Sequence, residues 1–381
     1  MASLTYPLSW LDRWYAWRDR KIASAKFQRF AANFPLTRPF VRKSSRALFD
    51  ICAGFIYTQI LLSCVRLNLF QILAAGPQDL ATLARRLDLP MDAAKTLLEA
   101  AASLDLVNKR GGENARLYGL GQLGAAMLGN PGIAAMVEHH ALVYRDWADP
   151  VAMLKAGPGS AELGQYWAYA NTSEPAAVDA GAAATYSALM SASQNFIADD
   201  VLDSYNVSQH RHMLDLGGGE GVFALAASRR AANLQISLLD LPAVAERANA
   251  GFAKAGILGR AQAVGGDFFV GPLPADADLI TLIRVIYDHQ DTNAMQLLRA
   301  AFNALPMGGR LLLAEPMAET SGAEPIGAAY FGFYLWAMGG GRSRSQAELG
   351  EMLSHAGFGR VRALRTKRPL LASVLLAEKT A

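Results

Sequence analysis

Cysteine is almost missing from this chain. Of 381 residues only Cys52 and Cys64 are cysteines, and both fall in one apolar segment. That excludes a disulfide framework and fits a reducing, cytoplasmic setting. Neither thiol has a histidine or a second cysteine at metal-ligand spacing, so packing is their expected role and no metal is expected. Charge is scarce too, at 18% of residues against 52% apolar, which excludes a disordered chain and predicts two or three domains with buried cores. The opening residues lack a short apolar core with a small-residue cleavage site, so secretion is not expected. Ile51 to Val65, bounded by Asp50 and Arg66, is apolar for about fifteen residues. A membrane span needs ~20, so a buried helix is expected there.

Acidic residues are rare in the first 46 positions, which hold ten Lys or Arg and two Asp, a net of +8. The whole chain is +3, so the remainder carries −5. Trp10, Trp14 and Trp17, with Leu11, share one side of an expected helix, and Arg13, Arg18, Arg20 and Lys21 lie mostly elsewhere around it. That pattern suits a helix lying in a membrane interface, against the alternative of tryptophans packed on the body. Pro35 and Pro39 are expected to break this arm into two pieces.

What the chain does have is a glycine corner. Met213-Leu214-Asp215-Leu216 reads as a buried strand, Gly217-Gly218-Gly219-Glu220-Gly221 as a turn, and the residues from Val222 as a helix. Glycines let backbone approach a ligand closely, as nucleotide-binding corners require. The spacing differs from the G-x-G-x-x-G of dinucleotide enzymes. A second apolar run ends in Asp240, 21 residues after Gly219, where a carboxylate can take both hydroxyls of a ribose. A third ends in Gly266-Asp267-Phe268-Phe269, an acid beside an aromatic, suited to the edge and face of adenine. Alternating strands and amphipathic helices then predict a mostly parallel sheet. Strands are expected near 212–216, 235–239, 261–265, 278–285, 309–315, 359–365 and 371–378, the last two as an antiparallel edge hairpin.

With these motifs in order, the chain resembles the class I S-adenosylmethionine-dependent methyltransferases. The series DLGGGEG, LLDLP, GDFF and Ala314-Glu315-Pro316 is similar to that of small-molecule O-methyltransferases carrying a winged-helix dimerisation domain. The likeness runs from about residue 47 to the C-terminus. It implies an α/β fold, a Rossmann-like seven-stranded methyltransferase sheet with an N-terminal all-α, winged-helix dimerisation domain. It also implies S-adenosyl-L-methionine as cofactor and a homodimer. The expected organisation is a basic amphipathic arm over 1–46, a winged-helix and linker-helix domain over 47–207, and the donor-binding domain over 208–381. The donor is expected on Asp215, Gly217, Gly219, Gly221, Asp240, Leu241, Asp267, Phe268 and Arg284. The arm and the stretch Phe49 to Phe70 look closest to members that methylate a carotenoid hydroxyl.

Asp79 to Leu87 and Met91 to Leu104 read as helices, and two short strands flank Gly111-Gly112, which together make a winged helix. A DNA-binding regulator is the rival reading. Its second helix offers only Lys95 against Asp92 and Glu99, with no Arg, Asn or Gln for base edges, so no nucleic acid is expected. His139-His140 is expected to pack or edge a pocket, since adjacent helical histidines point about 100° apart and nothing completes a metal site.

The family's fourth strand ends in a Lys-x-x-x-His-Asp-Trp type of pattern whose His is the general base. Here the segment is Arg284-Val285-Ile286-Tyr287-Asp288-His289, so Tyr287 takes the His position and His289 the Trp position. Glu315 matches the carboxylate that orients the base, and Ser343 replaces a second one. The catalytic set is therefore His289, Tyr287 and Glu315, with His289 nearer the pKa a base needs. The acceptor is expected against Met190, Phe196, Tyr330, Phe331, Tyr334 and Trp336. Five aromatics between Tyr330 and Trp336 suit a small but lipophilic acceptor, with core packing as the even alternative. A phenol, polyketide or quinone acceptor is the alternative chemistry. The expected location is cytoplasmic, peripheral to a membrane through the arm.

Overall fold

The structure is a computed structural model that describes residues 9–112, 116–166, 194–369 and 371–380. It divides into two compact units between Ala125 and Ala126.

In the first unit, α1 (Trp10–Ala23) starts at a capping box in which Ser9 and Asp12 satisfy each other's backbone N–H groups. α2 (Ala25–Asn33) and α3 (Arg38–Arg66) follow, with Pro35 in the turn between them and Pro39 in the first turn of α3, where its missing N–H costs nothing. α4 (Leu69–Ala74), β1 (Gln78–Asp79), α5 (Leu80–Arg86), α6 (Met91–Ser103), β2 (Val107–Arg110) and β3 (Leu117–Leu120) complete the winged helix, with strand order β1-β3-β2. Phe70, Leu83 and Leu98 fill its core. Glu99 on α6 accepts from Tyr118 Oη at 2.8 Å and pairs with Lys109 and Arg116, so this face of α6 is bound to its own wing.

The buried helix expected over Ile51 to Val65 is not what forms. α3 is 29 residues long and buries only Leu62 and Cys64, while Ile51 is 79% exposed. The apolar run extends a helix already begun at Arg38, because no breaker separates the two stretches. By length and composition alone α3 is able to cross a membrane.

α7 (Gln122–Leu128) precedes the second unit's α8 (Pro131–Asp146), α9 (Pro150–Ala156), α10 (Glu162–Tyr166) and α11 (194–204). The sheet strands are β4 (His212–Leu216), β5 (Gln235–Asp240), β6 (Ala261–Gly265), β7 (Leu279–Ile283), β8 (Arg310–Glu315), β9 (Arg360–Leu364) and β10 (Ser373–Glu378), each within two residues of the sequence expectation at either end. Their order is β6-β5-β4-β7-β8-β10-β9, with β10 antiparallel to both neighbours. Strand residues alternate between two cores. Met213, Ile236 and Leu238 pack with α12 (Val222–Arg230) and α13 (Pro242–Lys254), while Leu214 and Leu216 pack with α14 (Asp291–Ala304) and α16 (Gln346–Ala356). A π-helical turn, Ile326–Phe331, leads into α15 (Gly332–Met338). The strand order reverses between β4 and β7, and ligands of such sheets bind beyond the strand ends there.

Candidate active site

The three sequence signals meet at the carboxyl ends of β4, β5 and β6. Among the described residues, nothing but its own chain neighbours lies within 4 Å of where a side chain on Gly219 (φ +58°) would begin, so its backbone faces open space. Its N–H donates to Asp240 Oδ2 at 2.8 Å, and the Leu241 N–H donates to Oδ1 at 2.8 Å. These amides favour the carboxylate form while burial raises its pKa. A Cβ on Gly217 would lie 3.6 Å from the Phe268 ring, which places that ring beside the turn. Asp267 Oδ1 accepts the Phe269 N–H at 2.8 Å, an Asx turn that shapes this strand end.

Asp215 sits differently from the other residues of this corner. It is wholly buried beneath the turn, accepts from Thr281 Oγ1 at 2.6 Å, and burial pushes its pKa up to about 7. A Cβ on Gly218 would come within 2.5 Å of Asp215 Oδ2, so Gly218 closes over it. Sequence reasoning singled out the alternate glycines and passed over this one.

β7 is followed by Arg284, whose φ of +60° is a strained conformation for a side-chain-bearing residue. Its Nη2 donates to Tyr287 Oη at 3.3 Å. Tyr287 lies on a 3-10 turn, Ile286–Asp288, and is 4% exposed, with its pKa raised by burial. Glu315 Oε1 accepts from the Val285 and Ile286 N–H groups at 3.1 and 2.8 Å, so this carboxyl holds the backbone of the Tyr287 turn. Burial pushes Glu315 up to about 8. Tyr287 and His289 diverge. The Tyr287 ring meets Phe331 edge-on at 5.7 Å, whereas the His289 ring meets Phe268 and Phe269 at 5.8 and 5.1 Å. Burial, then the Arg344 charge, lowers His289 to about 4.

Tyr330, Phe331, Tyr334 and Trp336 cluster with Tyr287 and Met153. Phe196 stands apart from them on α11, its ring 5.1 Å from the Arg368 guanidinium. Met190 lies outside the described residues. His139 Nε2 shares a hydrogen bond with Tyr334 Oη at 2.9 Å, and His140 Nε2 with Tyr330 Oη at 2.8 Å.

The sequence pattern of the O-methyltransferase domain matches residues 147–359, and that of the O-methyltransferase dimerisation domain matches residues 49–130. The chain belongs to the O-methyltransferase family. It is 39% identical to the demethylspheroidene O-methyltransferase of Cereibacter sphaeroides over 94% of this chain and 93% of that one. Identity to the enzyme of that name from Rhodobacter capsulatus is 40% over 93% and 88% of the two chains. Human N-acetylserotonin methyltransferase, solved in complex with SAM, superposes with a TM-score of 0.73 at 23% identity, over 89% of this chain and 98% of that one.

This O-methyltransferase uses S-adenosylmethionine, and the corner suits that donor. The open backbone at Gly219 stands next to a carboxylate already oriented by two amides, and an aromatic ring stands beside the turn. Among the described residues no cluster of His, Cys, Asp or Glu is suited to a metal ion.

The sequence reading also passes over Arg344, which braces the Tyr287 turn. Arg344 is a fully buried arginine 58 residues beyond Ile286. It donates to the carbonyls of Ile286 at 3.1 Å, His289 at 2.8 Å and Arg342 at 3.1 Å, and pairs with Asp291 Oδ1 at 2.7 Å. The neighbouring Ser343, at the position of a family carboxylate, donates to Pro316 O at 3.4 Å. The segment Gly341-Arg342-Ser343-Arg344-Ser345 aligns on a family pattern, but that alignment draws attention to Ser343 and not to Arg344.

Proposed function

We propose that this methyltransferase converts a hydroxyl of a 1-hydroxy carotenoid into a methyl ether. The observation that carries the reading is the identity of about two in five residues, end to end, with two demethylspheroidene O-methyltransferases. The aromatic cluster around Tyr330 and Tyr334 is in keeping with a lipophilic acceptor. S-adenosylmethionine supplies a methyl group already activated on a sulfonium sulfur, so the protein has mainly to position the two reactants. Asp240 takes the ribose hydroxyls, Asp267 and Phe268 the adenine, and Arg284 the methionine end, with Leu241 and the Gly217, Gly219 and Gly221 turn as backbone contacts. Tyr287, kept protonated by burial, acts as a hydrogen-bond partner and not as a base. His289 braces the Phe268–Phe269 wall, and Glu315 fixes the Tyr287 turn.

Labelled-methyl transfer tests this directly. With a 1-hydroxy carotenoid in detergent and a catechol in parallel, label is expected on the carotenoid. Label on the catechol alone would overturn the reading in favour of a phenolic acceptor.

We further propose that the chain acts as a homodimer at the surface of an anionic membrane. The dimerisation-domain match includes most of the exposed apolar length of α3, which a second copy would cover. On α1, Trp10, Trp14 and Trp17 are all exposed and Arg18 and Lys21 lie over tryptophan rings. Each cation near an anionic surface contributes about 1 kcal/mol, screened by salt. The parent should sediment with anionic phospholipid vesicles at low salt, and less at high salt. Replacing all three tryptophans by serine should leave most of the protein in the supernatant. Equal sedimentation of the two would take α1 out of the argument.

A further inference from the structure

Two adjacent histidines on α8 each meet a tyrosine, and the two tyrosines are four residues apart on the segment that enters α15. The pairs are not equivalent. Both histidines are half-buried, but Tyr334 is buried at 5% exposure, whereas Tyr330 is half-buried and open to a ligand. Tyr330 stacks on Tyr334 at 6.0 Å and meets Phe331 edge-on at 5.0 Å, and Phe331 meets Tyr287 at the end of β7. A line of rings thus runs from the His140–Tyr330 pair to the residues at the strand ends. Tyr330 belongs to the π-helical turn, a local widening of the helix that is frequent at functional sites.

We propose that Tyr330 and His140 form the subsite for the acceptor's aliphatic hydroxyl, with Tyr330 Oη contacting that hydroxyl and His140 receiving the proton through it. This rests on the reading of the enzyme as a methylase of an aliphatic alcohol. An aliphatic alcohol is too weak an acid to ionise first. Once its oxygen has begun to bond to the methyl carbon, that oxygen carries positive charge and its proton becomes strongly acidic, so a weakly basic acceptor suffices. The balance is simple. The O–C bond forms as the donor's S–C bond breaks, with that electron pair left on sulfur. The hydroxyl proton passes to Tyr330 Oη while the Tyr330 proton passes to Nε2 of His140, which becomes imidazolium in place and then gives the proton to solvent.

The electrostatics of the pair agree with this role. Burial pushes Tyr330 up to about 12, opposed by the Arg284 charge, and burial lowers His140. Among the described residues, the titratable groups facing the pair are His139 on α8, Tyr334 on α15, and Arg284 and Tyr287 just after β7. At neutral pH Tyr330 and His140 are both uncharged, a hydroxyl shared with an imidazole free to take a proton. Tyr330 would be the catalytic residue, since it touches substrate, and His140 a positioning residue that acts through it.

Glutamine at position 140 separates a relay from a brace, because its amide can keep the hydrogen bond to Tyr330 but cannot accept a proton. Turnover with the labelled donor and the 1-hydroxy carotenoid, affinity for S-adenosylhomocysteine and melting temperature should be measured for parent, His140→Gln, Tyr330→Phe and the double variant. Each single change is expected to lower kcat by ~10²-fold, the low range for assisted proton transfer, with unchanged product-donor affinity and melting. The double variant should be no slower than the worse single one. A His140→Gln enzyme within a few-fold of the parent kcat overturns the proposal and leaves the pair as a brace. If His140→Gln does not fold, Tyr330→Phe alone decides, since it removes one hydroxyl and keeps the ring. If the parent labels only the catechol, the acceptor reading has failed separately, and the same variants judge the pair with catechol as acceptor.

Discussion

Asp240→Ala is expected to bind S-adenosylhomocysteine about 10²-fold more weakly than the parent, with little change in melting temperature. The carboxylate at the end of β5 is held by the N–H groups of Gly219 and Leu241, each at 2.8 Å, which leaves one lone pair on each oxygen for a vicinal diol. A hydrogen bond to a charged group contributes ~1.5–3 kcal/mol, and about 1.4 kcal/mol is a factor of ten in affinity, so the net loss of one such bond reaches about 10²-fold at its upper end. The alanine variant also frees the Gly219 amide to move in the turn where the ligand's backbone contacts lie. Asp240→Asn, which keeps one carbonyl acceptor, should fall between alanine and parent. Calorimetric titration with S-adenosylhomocysteine reads the effect directly. An alanine variant that binds like the parent would place the ribose somewhere else on the sheet.

The second large effect is expected at Arg344. Methionine there keeps much of the length and apolar stem but removes every donor, so the carbonyls of Ile286, His289 and Arg342 lose a buried partner. Asp291 on the other side is 62% exposed, so the ion pair itself contributes little and the unmet carbonyls dominate. Together they predict a loss of ~2–4 kcal/mol in stability. Lysine should not rescue it, because one ammonium cannot reach three carbonyls in a fork. Turnover should drop as well, since the same segment wraps the Tyr287 turn. The Arg342 N–H donates to Tyr287 O at 2.8 Å, and a Cβ on Gly341 would sit 2.2 Å from that oxygen. Urea unfolding and turnover of Arg344→Met and Arg344→Lys check this. A methionine variant with the parent's midpoint and turnover would show that the clamp is dispensable.

How much of this was legible beforehand depended on whether the cause was local. The turn after β4 was readable because a positive φ at Gly219 and the strand before it are demands of neighbouring residues. The position of Asp240 at the end of β5 was readable for a related reason, since the apolar run before it marks where the strand stops. Tyr287 and His289 were harder. Aligned on the family pattern they looked like rivals for one role, but Tyr287 lies in the 3-10 turn and His289 is the extended residue that ends it, so the two side chains diverge. One ring joins Phe331, the other joins Phe268 and Phe269.

The sequence by itself determined the family fold, the positions of the sheet strands, the glycine turn and the basic tryptophan-bearing helix at the start. Periodicity, turn chemistry and strand-end residues act over a few positions, and a single chain states them outright. Tertiary structure alone decided the rest. It set the exposure of α3, because burial depends on what comes to lie against a helix and not on its composition. Arg344 came to the Tyr287 turn across more than fifty residues, and Tyr330 came to His140 across 190. Contacts at such separation leave no period or spacing in the sequence, since the sheet and the packed helices between them, not the intervening chain, bring the partners within hydrogen-bonding distance.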